Sequence, residues 1–325
     1  MTRQTLEKYQ VIVYLTAIGL GLGVGVLLPG GVGVFEAALW PVLGLLLYAT
    51  FTQVPIAHLG EAIKDTRFVA AAIVGNFIVI PFLLWLSLPF LPADPAIRLG
   101  ILLVLLVPCT DWFITFTHLG GGDTRHAIAF SPISLLLQML LLPVYLVMFL
   151  GEEIVLTAAR QEMLLAFAGL ILLPLLAAFL TEKWTERSVT RREILEKFAW
   201  LPVPLLAVVV FIIAVTQINL VTASLDVLGT LLVIFVFFLI AAGLLARLIS
   251  AIFGLPTDQG RVLAFSMGTR NSFVVLPLAL ALPESFGLTV VAIVFQSLVE
   301  LIGMAVYLWW VPRVLFRQID TTELS

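Results

Sequence analysis

Uninterrupted apolar stretches of roughly 20 residues run through the chain, the length at which a helix crosses about 30 Å of hydrocarbon. Lipid offers backbone N–H and C=O groups no partner, so a spanning segment must be a helix or part of a closed barrel. Barrel strands alternate polar and apolar residues. These stretches do not, and the expected fold is therefore an all-α polytopic membrane protein. Composition agrees: the 325 residues are 62% hydrophobic and 11% charged, against about half and a quarter in soluble domains. A net charge of −3 leaves no footprint for nucleic acid. Cys109 is the single cysteine, which excludes an intramolecular disulfide. No P-loop, G-x-S-x-G or H-E-x-x-H motif occurs, so neither ATP hydrolysis nor an intramembrane enzyme is indicated. Nothing in the sequence asks for a cofactor.

Charge clusters and Pro/Gly punctuation divide the chain into ten spans, near 9–28, 37–57, 68–90, 98–118, 125–149, 162–181, 198–217, 227–250, 258–282 and 286–312. The stretch from Val11 to Leu28 is too long for a signal-peptide core, so a retained first helix is expected. Residues 56–65 read as an interfacial connector. Of 17 lysines and arginines, Arg98 and Arg160 fall on one side of the membrane and Arg270 falls inside the ninth span. The rest gather on the side of the N-terminus, which the positive-inside rule makes cytoplasmic. An even number of spans returns the C-terminus to the same side. Residues 182–197 form the longest polar stretch and read as a cytoplasmic linker. They separate residues 1–181, the first five-span repeat plus the sixth span, from residues 198–325, the remainder of the second repeat. Five spans per half force opposite insertion, the layout of an inverted repeat. Leu135-Leu136-Leu137-Gln138 before Tyr145 parallels Ser297-Leu298-Val299-Glu300 before Tyr307. Upstream, Cys109–Phe113 aligns with Thr269–Phe273.

The fourth span is broken at Pro108-Cys109-Thr110-Asp111, because proline removes a donor and clashes with the preceding turn. The ninth is interrupted at Ser266-Met267-Gly268-Thr269-Arg270-Asn271-Ser272. Matched breaks in two halves point to a substrate site near the midplane. Arg270 cannot lose its proton and needs an anion, so an Asp111–Arg270 pair across the crossing is expected. Glu300, with Gln296 one turn earlier, lies mid-span with no basic residue left for it. A carboxylate there is a proton carrier, or else a packing group bonded to Gln138. Cys109 beside Thr110 offers a soft ligand suited to thiophilic metalloids, or it is an inert filler. Ser131, Ser134 and Gln138 make a polar stripe facing the same cleft or gluing helices. Asn76 is expected to satisfy neighbouring backbone. His118, His126 and Asp123 are expected in a solvated loop. Gly21, Gly23 and Gly25 suggest a close-packing face.

With Leu106-Val107-Pro108-Cys109-Thr110 and Ser297-Leu298-Val299-Glu300 in place, the chain resembles the arsenite efflux permeases of the arsenical-resistance type, within the bile acid/sodium symporter superfamily. The resemblance implies a panel domain, and a core domain in which helices four and nine cross. It implies export of arsenite, in some members antimonite, in exchange for protons across the cell membrane. It places As(III) on Cys109 and the proton on Glu300, and Asn271 fits its pattern; Thr110, Ser272 and Gln138 are expected to line the same substrate site. Asp111-Trp112 and Arg270 depart from the family pattern. The alternative within the superfamily is sodium-coupled uptake of an organic anion.

Overall fold

A computed structural model describes residues 3–27, 32–54, 65–157, 165–185, 199–217 and 225–317, with 188, 191 and 195 between them. The expected connector at 56–64, Arg160 and most of the 182–197 linker lie outside the described residues.

The chain is an all-α polytopic membrane protein. Its helices are α1 (Arg3–Leu27), α2 (Val32–Phe51), α3 (Thr66–Val74), α4 (Ile80–Ser87), α5 (Pro95–Leu105), α6 (Trp112–Leu119) and α7 (Thr124–Thr157). They continue as α8 (Leu173–Thr185), α9 (Pro202–Thr216), α10 (Leu225–Ile252), α11 (Thr257–Gly268), α12 (Ser272–Leu280) and α13 (Gly287–Trp310). A π-turn at Gly75–Val79 joins α3 to α4, another at Phe167–Leu172 leads into α8, and a third at Val311–Leu315 follows α13. Among the described residues, six stretches are long and apolar enough to cross a membrane, and three shorter apolar helices accompany them. Both expected helix breaks are present: α5 and α6 are separated at Pro108–Asp111, and α11 and α12 at Thr269–Asn271.

Local chemistry sets the helix starts. Asp94 accepts from the Ala96 and Ile97 amides at 2.9 and 3.0 Å and starts α5 just before Pro95. That is an N-cap followed by the residue type that loses least at the first helical position. Asp65 caps α3 through the Phe68 amide at 3.1 Å.

The helices sort by contact into two groups. One is α1, α2, α8 and α9; the other is α3 to α7 with α10 to α13. Each group takes helices from both halves of the chain, so the packing units are interleaved in sequence. Close approach is bought with small residues. A Cβ on Gly21 would lie 2.5 Å from the Phe211 carbonyl of α9, whereas one on Gly23 would meet open space. Gly100 plays the same part between α5 and α13, where a Cβ would stand 2.9 Å from Thr289 O.

Two long-range hydrogen bonds repeat at a constant shift along the chain. Tyr145 donates to Phe77 O and Tyr307 donates to Leu239 O, each reaching back 68 residues. At one end of the second group, the starts of α3, α7 and α11 meet the end of α6 and Phe316. Arg261 there donates to Gly121 O at 2.9 Å and to Phe316 O at 3.0 Å.

Candidate transport site

The two broken spans cross where their backbones are unwound. Leu105 ends α5 because Pro108 has no amide hydrogen to continue the ladder, and Thr269, in extended conformation, follows α11. The extended segments run antiparallel as an isolated β-bridge between Pro108 and Arg270. Cys109 N donates to Thr269 O at 3.2 Å and Asn271 N donates to Val107 O at 2.8 Å. These are one bond seen twice, related by exchange of the segments. The equivalence pairs Pro108 with Arg270 and Cys109 with Asn271, and so corrects the sequence alignment of Cys109 with Thr269 by two residues. It is the same shift that relates Tyr145 to Tyr307. The unwound backbone is buried in protein from Val107 to Thr110 and from Thr269 to Asn271, which is the condition for irregular structure at membrane depth.

Side chains converge on the crossing from α7, α12 and α13. Asn271 caps α12 through the Val274 amide, and its Nδ2 donates to Thr110 Oγ1 at 3.3 Å. Ser131 of α7 donates to Thr110 O. On the far side of the bridge Ser272 Oγ donates to Gln296 Oε1 at 2.7 Å, and Gln296 Nε2 donates to Glu300 Oε2 at 2.7 Å. Glu300 Oε2 also accepts the Arg270 amide at 2.8 Å. Cys109, Thr110, Asn271, Ser272 and Glu300 therefore belong to one buried assembly.

The expected Asp111–Arg270 pair is not formed. Arg270 Nη1 donates to Leu105 O at 3.2 Å, and Nη2 donates to Asn76 Oδ1, Ser266 O and Met267 O at 3.0, 3.1 and 2.6 Å. The guanidinium also lies 5.3 Å from the Phe238 ring centroid. Carbonyl dipoles and a π-face hold the cation where a counter-ion was expected. Asp111 instead accepts the Cys109 thiol at 3.1 Å. Asn76 has a larger part than backbone repair. It donates to Ala72 O and Ser266 Oγ, both at 3.1 Å, while its oxygen takes Arg270. Its only sequence signal was a polar residue inside the third span.

Gln138 does not bond Glu300; both of its amide atoms, with Ser134 Oγ, are buried without a hydrogen-bond partner. Trp112, marked in the sequence only as a departure from the pattern of the resemblance, packs against Phe273 at 5.3 Å and stacks on Tyr14 of α1 at 6.1 Å. It joins the two packing groups beside the crossing. His126 is no free loop residue either. It contacts Asp123 at 2.8 Å, Asp65 at 3.1 Å and Gln259 at 3.1 Å. Among the described residues no cluster could hold a resident metal ion.

Two unwound helices crossing inside a bundle of apolar spans, with buried polar and ionisable groups at the crossing, define a secondary membrane transporter. The model of the sodium bile acid symporter family matches residues 40–248, well over half of the chain. The chain belongs to that family, whose members are transporters and not enzymes. No individual curated protein matches it significantly.

Proposed function

We propose that the chain exports arsenite, with antimonite as a second cargo, in exchange for protons. In this reading it has ten spans in two inverted halves, sits in the cell membrane, and has both termini in the cytoplasm. The observation that carries it is the thiol of Cys109 on one unwound segment, with the carboxylate of Glu300 bonded to the backbone of the other.

The sulfur of Cys109 attacks uncharged trihydroxy arsenic. An As–S bond forms, one As–O bond breaks, and the thiol proton leaves with the hydroxide as water. Asp111, already accepting the thiol, is placed to relay that proton. One sulfur ligand holds cargo long enough to pass it on without sequestering it. Proton uptake by Glu300 removes the charge from its bonds to Gln296 and to the Arg270 amide, and charge-assisted bonds are about twice as strong as neutral ones. Protonation thus loosens the crossing, which couples the proton to the movement of cargo.

A second reading, sodium-coupled uptake of an organic anion, is favoured by the name of the family. Against it stands the guanidinium of Arg270, which already occupies three carbonyls and an amide oxygen, the ligand type a hard cation needs. Uptake of arsenite by everted vesicles separates the readings. Wild-type vesicles are expected to accumulate arsenite in sodium-free buffer with an imposed proton gradient, and Cys109→Ala and Glu300→Gln vesicles to fall to background. Wild-type rates in either variant would overturn the mechanism, and a strict sodium requirement would favour the symporter.

A further inference from the structure

The two-fold pairing at the crossing has one unequal position. Arg270 donates its amide to Glu300; its counterpart Pro108 has no amide hydrogen to give. By the shift that relates the segments, Gln138 stands to Pro108 as Glu300 stands to Arg270, and Ser134 as Gln296. Gln296 is bonded to Ser272 and to Glu300. The equivalent of Ser272 is Thr110, whose hydroxyl accepts from Asn271. The first half is thereby left with Gln138 Nε2, Gln138 Oε1 and Ser134 Oγ unpaired, on side chains 2% and 0% exposed. Buried polar groups almost always find a partner, and three orphans within one helical turn mark a place where something else binds. One turn earlier on the same face, Ser131 is bonded to Thr110 O, so the stripe faces the segment that carries Cys109.

We infer that Ser134 and Gln138 form the hydroxyl-recognising half of the cargo site, and that the cargo enters as a neutral trihydroxide. This rests on the proposed export of trivalent arsenic. The unpaired atoms comprise a donor, an acceptor and a hydroxyl able to act as either, with no charge among them. A solute carrying both O–H donors and lone pairs satisfies all three. An anion would face the amide oxygen, and a metal cation the amide NH₂. While the sulfur of Cys109 holds arsenic, the remaining hydroxyls are held by Gln138 and Ser134.

The test uses arsenite uptake by everted vesicles together with thermal unfolding of the purified, cargo-free protein. Gln138→Leu is expected to raise KM for arsenite at least tenfold with little change in maximal rate, and Ser134→Ala severalfold. Above the ionisation of arsenous acid, wild-type uptake should follow the undissociated acid. Because leucine removes unpaired atoms without changing shape, cargo-free Gln138→Leu should unfold at a higher temperature than wild type. A residue serving only to pack helices would give the opposite shift. Wild-type KM in both variants would mean that the orphans hold water alone, and it would overturn the inference while leaving the transport function standing. Uptake that follows the anion, or a lowered Tm for Gln138→Leu, would also overturn it. Should Gln138→Leu fail to fold, Ser134→Ala and Gln138→Asn carry the KM comparison. Wild-type vesicles that take up no arsenite would sink the proposed function and this inference together.

Discussion

Single residues at the crossing differ in what they can lose. Arg270 satisfies three carbonyls and Asn76 with one planar fork, so removing it leaves several buried acceptors unpaired, each worth about 1–3 kcal/mol. Arg270→Met should therefore lower Tm sharply. Arg270→Lys should rescue little, because a compact ammonium cannot span the same acceptors. Asp111 makes no bond to that guanidinium, so Asp111→Asn should lower Tm less than Arg270→Met does, while slowing arsenite uptake by weakening the hold on the Cys109 thiol. Detergent-purified variants followed by thermal unfolding decide both points. Equal damage from Asp111→Asn and Arg270→Met would restore the salt bridge that the sequence suggested.

Elements are held by their ends as well as by their faces. Asp65 caps α3, and its carboxyl is held below the usual carboxylate range, first by the Phe68 amide and then by Gln259 and His126, against the opposing effect of burial. A depressed carboxyl stabilises the fold above its unfolded pKa, about 3.9, and the contribution is lost as pH falls through the lower folded value. Asp65→Ala should cost about 1 kcal/mol near neutrality, as lost caps do. The gap from wild type should close as the pH is taken below about 4, which chemical denaturation across pH can follow. A gap that stays constant to low pH would show that the cap does not act through its charge. Between α5 and α13, Gly100→Val should lower Tm, because the new side chain would meet Thr289 and Ala292 in a contact that neither helix can widen without opening the crossing.

At the scale of the molecule, the crossed segments sit within one packing group, and among the described residues several elements join it to the other group. Among these contacts are α1 with α13 and α2 with α12, along with the Tyr14–Trp112 stack. Trp112→Ala removes the stack at the seam and leaves the bonds of the crossing in place. It should change the transport rate more than Tm, measured on the same purified protein by vesicle uptake and thermal unfolding. An equal loss in both would make Trp112 a packing residue and nothing more.

The sequence by itself determined that the chain is helical and membrane-embedded, and where two of its apolar stretches break, beside Pro108 and beside Arg270. Both follow from local causes: lipid forbids unpaired backbone, and Pro108 lacks an amide wherever it is placed. It also singled out Cys109, Thr110, Asn271, Ser272 and Glu300, because polar groups inside apolar spans stand out on any reading. Only the tertiary structure decided which groups they meet. Arg270 had two acids in view along the chain, Asp111 and Glu300, and its guanidinium bonds neither: folding supplied Asn76 from 194 residues away together with carbonyls that no sequence pattern displays. Tertiary structure also shifted the repeat by two residues, gathered His126 with Asp65 and Gln259, and left Gln138 unpaired opposite a proline. Hydrogen-bond partners are chosen by distance and direction in three dimensions. The pattern of breaks was therefore legible from the chain, and the way the site is wired was not.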